Sequence, residues 1–168
     1  MAFSSTQISN TTGIQLKKDA YVVVVSTEWN AHVIDILEEG CLKVLRENHI
    51  AIKQLKVPGA FEIPFTINAY WEKTKYHVCK PDAFIALGCI IKGDTPHFDY
   101  VCTAITQGIT QLNLLLPVPS IFGVLTVNNQ QQADERTGGV HGHKGEEAAA
   151  TALKMIALSQ SFDIPQAS

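Results

Sequence analysis

Tyr21-Val-Val-Val-Val25-Ser-Thr-Glu-Trp-Asn30 sets the reading of the whole chain. Tyr21 to Val25 is apolar without alternation and rich in β-branched valine, the pattern of a strand covered on both faces in a parallel sheet. After the polar turn Ser26 to Asn30, Val33, Ile36, Leu37, Cys41, Val44 and Leu45 recur at helical spacing. A buried strand feeding directly into an amphipathic helix is the first half of a βαβ unit.

The same order continues outward from that stretch. Ile50 to Val57 reads as a strand, Ala60 to about Lys75 as a helix with Pro64 near its start, and Ala83 to Ile91 as an apolar strand. A helix then carries Val101, Ile105, Ile109 and Leu112, and a strand runs from Ser120 to Val127 behind Pro117 and Pro119. Asn128 or Asn129 can cap a short helix reaching Arg136, Thr137-Gly138-Gly139 would stop it, and Glu146 to Ser159 reads as an alanine-rich last helix with an acidic start. Strands alternating with helices imply right-handed crossovers, so the expected fold is α/β: a three-layer αβα sandwich around a central four-stranded, mainly parallel sheet. Residues 1–13 are polar with little to bury and are expected to be a flexible tail, leaving residues 14–168 as a single domain.

Composition narrows the function. With 168 residues, 46% hydrophobic and 17% charged, the chain has the make-up of one compact core. A formal charge of −3 offers no basic field for a nucleic acid, no apolar run is long enough for a membrane span, and residues 1–13 lack the features of a signal peptide, so the expected location is the cytoplasm. Cys41, Cys79, Cys89 and Cys102 lack CxxC spacing and are expected to be reduced thiols there. Asn10-Thr11-Thr12 fits a glycosylation sequon that has no meaning in that compartment.

In open α/β sheets ligands collect beyond the carboxyl ends of the strands. The segments to inspect are therefore Ser26 to Asn30, Val57-Pro-Gly-Ala-Phe-Glu-Ile-Pro64, Lys92-Gly-Asp-Thr-Pro-His-Phe98 and the stretch after Val127. Gly88-Cys-Ile-Ile-Lys-Gly-Asp-Thr95 has a P-loop outline, but Asp94 stands where the phosphate-binding lysine belongs. Gly93 and Thr95 just ahead of a helix still suit a single phosphate. His97 has the side chain for proton transfer near neutral pH, or it packs or caps. Trp29 is a stacking platform or core, Glu62 a substrate acceptor or a dipole-stabilising carboxylate, and Arg136 a phosphate fork or a helix-end cation. His141-Gly-His143 lacks the further ligands a metal needs, and neither a GxSxG elbow nor a GxGxxG fingerprint occurs.

VPGAFEIP (57–64), ALGCIIKGDTPHFDYV (86–101), IFGVLTVNNQQQADERTGG (121–139) and HKGEEAA (143–149), in this order, resemble lumazine synthase. The resemblance runs from about Tyr21 to Ser159 and implies a flavodoxin-like fold. It also implies condensation of 5-amino-6-(D-ribitylamino)uracil with 3,4-dihydroxy-2-butanone 4-phosphate to 6,7-dimethyl-8-ribityllumazine, without cofactor or metal. By the same resemblance Trp29 stacks on the pyrimidine, and Asn30, Ala60, Phe61, Glu62, Cys89, Ile90 and Ile91 hold the uracil and ribityl chain. Asp94 and Thr95 match the phosphate loop, where the Asp94 carboxylate should turn outward, and His97 matches the proton-transfer histidine. Arg136 matches the arginine that reaches the same phosphate from a neighbouring subunit, and Phe122, Lys144 and Glu147 match that subunit's wall of the pocket, with Phe122 closing over the ring and Lys144 on the ribitylaminouracil side. The partners so implied are the two small substrates, further copies of the chain as a pentamer with capsids of pentamers in view, and riboflavin synthase. The rival readings are a non-catalytic flavin or lumazine carrier on the same scaffold, and a flavodoxin-like redox module.

Overall fold

The computed structural model describes residues 10–16 and 19–162; residues 1–9 of the expected tail lie outside that range. Four parallel strands, β1 (Tyr21–Thr27), β2 (Ala51–Val57), β3 (Ala83–Ile91) and β4 (Ser120–Val127), form one sheet in the order β2-β1-β3-β4. Helices α1 (Ala31–Glu47), α2 (Ile63–Thr74) and α3 (His97–Leu115) make the crossovers, a short α4 (Gln130–Asp134) follows β4, and α5 (Lys144–Gln160) closes the described fold.

Strand alternation explains the three layers. Val22 and Val24 of β1 join Ile34, Leu37 and Leu45 of α1 and Ala149, Leu153 and Ile156 of α5 in one core. Val23 and Val25 point the other way, among Ile63, Ile67 and Trp71 of α2 and Ile105, Ile109 and Leu112 of α3. Each such valine stabilises the fold by about 1.5–3 kcal/mol through burial alone. Ile14 and Leu16 add partly buried apolar surface to the first core.

Several boundaries differ from the sequence reading. β1 runs on through Ser26 and Thr27, both buried, because the Ser26 hydroxyl is satisfied by the Glu38 carboxylate on α1. The helix expected from Ala60 starts as a 3-10 turn over Ala60–Glu62, and α2 proper begins at Ile63, with Pro64 in the first turn where its missing N–H costs nothing. Asn129 is the cap of α4, its side chain accepting from Gln132 N–H at 3.0 Å. Arg136 does not end α4 but lies beyond it, and Thr137–Gly139 (β5) pairs antiparallel with Gly142–His143 (β6) instead of simply stopping the chain.

α1 leaves β1 toward one face of the sheet, and α3 leaves β3 toward the other. Neighbouring strands whose connections diverge leave a crevice at their carboxyl ends, here between β1 and β3.

Candidate functional site

The crevice is a cavity of about 480 Å³ lined by Trp29 and Asn30 from the exit of β1, Ala60, Phe61 and Glu62 from the 3-10 turn, Cys89, Ile90 and Ile91 from β3, and His97 from α3. Its size suits a small organic ligand. The turn after β1 is held from behind, Glu28 N–H donating to the Val57 carbonyl (2.8 Å) and Trp29 N–H to that of Pro58 (3.3 Å). Trp29 is left 73% exposed, an indole face that the core does not use. Asn30 adopts the left-handed conformation (φ 58°, ψ 42°), and its amide reaches across the crevice to donate to the Cys89 carbonyl at 2.9 Å.

Gly59 sits between Trp29 and Glu62. A Cβ placed there would lie 3.2 Å from the Glu62 carboxylate and 3.8 Å from the Trp29 ring, so Gly59 lies against both groups. His97 opens α3 directly after Pro96 and is exposed toward the cavity it lines. Asp94 and Thr95 are exposed on the turn just before it and line neither this cavity nor the next. Burial, followed by the Asp134 charge, pushes the Cys89 thiol up to about 11, so at neutral pH it is a small uncharged wall and not a thiolate nucleophile.

A second cavity of about 430 Å³ collects Phe122 from β4, Arg136, and Lys144 from the start of α5, with Gln132, Glu135 and His141 around them. It shares no lining residue with the first. Beneath it Glu147 is 4% exposed and faces two cations, its carboxylate 3.3 Å from the Arg136 guanidinium and 3.6 Å from Lys144 Nζ. Arg136 also donates through Nη1 to the His141 carbonyl at 2.8 Å. A guanidinium has five N–H donors, so these contacts fix Arg136 and leave others for an anion.

Comparison with known proteins gives this arrangement its family. The family model described as 6,7-dimethyl-8-ribityllumazine synthase matches residues 19–160. The chain belongs to that family. A protein of that name from Parabacteroides distasonis is 44% identical over 139 residues, covering 81% of this chain and 84% of the relative. Similar proteins of the same name from Cytophaga hutchinsonii (47%, covering 80% and 83%) and Bdellovibrio bacteriovorus (45%, covering 87% and 78%) span the same breadth.

Within a lumazine synthase frame, the residues matched from sequence separate into two sets. Those matched to the ring and to proton transfer meet in the first cavity, Phe122, Arg136 and Lys144 meet in the second, Glu147 pairs with two of these from beneath it, and Asp94 and Thr95 line neither. Thr27, Gly59 and Val101 of the first cavity, and Gln132 and Glu135 of the second, were not singled out from sequence. The only signal for the Glu147 ion pairs was the i,i+3 spacing of Lys144 and Glu147. Among the described residues, no group of three or more His, Cys, Asp or Glu side chains could hold a metal, and no helix is long and apolar enough to cross a membrane.

Proposed function

We infer that the chain catalyses the condensation of 5-amino-6-(D-ribitylamino)uracil with 3,4-dihydroxy-2-butanone 4-phosphate, giving 6,7-dimethyl-8-ribityllumazine, phosphate and water. The observation that carries the reading is the crevice at the switch point, where an exposed indole, a carboxylate and a helix-starting histidine converge in a chain of this family. The pyrimidine stacks on Trp29, while the Glu62 carboxylate and the backbone of Ala60, Phe61 and Cys89 to Ile91 meet the polar edges of the ring and the ribityl chain. The exocyclic amine attacks the butanone carbonyl, and water leaves as the imine forms. His97 takes up the proton released in that step and returns one as the phosphate is eliminated, after which the ring closes with loss of water.

The phosphate is held by the backbone N–H groups of Asp94 and Thr95 ahead of α3, with the Asp94 carboxylate turned away from the anion, and by Arg136 of an adjacent subunit. Two separate cavities on one chain support a shared site: each copy supplies the first cavity to one site, and Phe122, Arg136 and Lys144 to the next. The assembly we infer is a cytoplasmic homopentamer, and the short Thr137 to His143 connection suits packing of pentamers into a capsid. Holding two substrates in attack geometry can lower a barrier by about 7–11 kcal/mol, which makes a pocket with few catalytic groups chemically sufficient.

The relatives carry a synthase name, so the carrier reading is not favoured. The test is to mix purified protein with both substrates and follow lumazine absorbance with and without a chelator. Product formed above the uncatalysed rate, and unchanged by the chelator, is the expected result. Binding without acceleration would support the carrier.

A further inference from the structure

His143 caps α5, its Nδ1 accepting from Glu146 N–H at 3.4 Å, and it sits next to Lys144 in sequence. It is paired across the β5–β6 hairpin with Thr137, the residue after Arg136, and the Lys144 N–H donates to the Arg136 carbonyl at 2.8 Å. The imidazole therefore stands at the root of the segment that carries both cations of the second cavity.

What seats the ring is a gap in α1. A Cβ at Gly40 would lie 2.2 Å from His143 Cε1 and 2.6 Å from Nε2, so the imidazole lies against backbone that only glycine leaves bare. Two residues past His143, a Cβ at Gly145 would meet the Leu37 carbonyl at 2.0 Å, so the first turn of α5 presses on α1 at the same place. From α1, Lys43 reaches Glu146 at 3.8 Å, an exposed pair that adds little. The ring fitted against Gly40 thus ties the β5–β6 hairpin to α1 beside the segment that carries Arg136 and Lys144.

We propose that His143, seated on Gly40, is a positioning residue that sets Arg136 for the phosphorylated substrate without touching it. The proposal rests on the synthase reading above. It separates His143 from His97: losing the ring should weaken capture of the phosphate and spare the chemistry.

The test is steady-state kinetics on the assembled full-length protein, wild type beside His143→Ala, His143→Asn, Gly40→Ala and the Gly40→Ala/His143→Ala double variant. His143→Ala is expected to raise the KM for the butanone phosphate roughly fivefold to tenfold, the size of one lost helix cap, with kcat and the KM for the uracil changed by less than about twofold. His143→Asn keeps a capping acceptor and is expected to restore most of that KM. Gly40→Ala should raise the same KM in the wild type but add less than about twofold once the ring is gone, because the two changes act on one contact.

Equal losses in both KM values and kcat, an Asn variant no better than Ala, or additive Gly40 and His143 effects would each overturn the positioning role. An active wild type with an insensitive His143→Ala defeats this inference alone, whereas an inactive wild type defeats the synthase reading beneath it.

Discussion

Asn30 and Cys89 are joined across the mouth of the sheet by a 2.9 Å hydrogen bond from the Asn30 amide to the Cys89 carbonyl. The bond ties the exit of β1 to that of β3, the two strands whose connections diverge, and it presents Trp29 over the cavity between them. Asn30 achieves this in a left-handed conformation that most side chains avoid.

Asn30→Gly keeps that conformation and loses only the bond, a change of about 1 kcal/mol, so the KM for the ribitylaminouracil should rise about fivefold. Asn30→Ala adds about 1–2 kcal/mol of backbone strain and should be worse for both affinity and thermal midpoint. Kinetics and thermal melts of the two variants side by side check the order.

His97→Ala should lower kcat by about 10²–10⁴-fold and leave assembly unchanged, because the side chain is exposed and packs into no core. Arg136→Ala should act chiefly on the KM for the butanone phosphate. Substrate titrations of both variants, with sedimentation to confirm their assembly, separate the two roles; unchanged kinetics in either removes that assignment.

Glu147→Gln keeps the shape and removes the one carboxylate shared by Arg136 and Lys144. Breaking a buried pair costs about 3–5 kcal/mol, but both cations here are partly solvated, so a loss nearer 2 kcal/mol is expected. Lys144→Ala should cost less, since Glu147 then keeps Arg136. Denaturant midpoints of the two variants measure the difference.

Alkaline stability should depend on Cys41. Burial, and then the Glu38 charge, pushes this thiol from its ordinary 9.0 up to about 12. A raised folded-state value means that the folded chain holds the proton after the unfolded chain has released it. The stability is therefore fully present below pH 9 and is lost as pH rises from 9 toward 12. Cys41→Ala should be less stable at pH 7 but flatter across that window in denaturant titrations.

Much of the layout was legible in the sequence because apolar runs and their punctuation coincide. β3 and β4 match the expected Ala83–Ile91 and Ser120–Val127, since both strands are apolar runs and prolines stand before β4. Ser26 and Thr27 read as turn from sequence because polar residues at a strand end look like one until a partner such as Glu38 is known. The β5–β6 hairpin is too short and glycine-rich for any periodicity, so the sequence puts Arg136 at a helix end although it stands beside the hairpin. In the first cavity the strand exits named the residues, whereas the contact of His143 with Gly40 joins parts of the chain that no local pattern connects.

The central claim is that one catalytic site is completed by two copies of the chain, and complementation tests it most directly. His97→Ala and Arg136→Ala proteins are unfolded together, refolded as mixed assemblies and assayed for lumazine formation at butanone phosphate well below the KM of the Arg136→Ala protein, where both parents turn over slowly. Random mixing should leave roughly a quarter of the sites with both halves intact and restore activity in that proportion. Mixed assemblies no more active than their parents would contradict a site shared between copies.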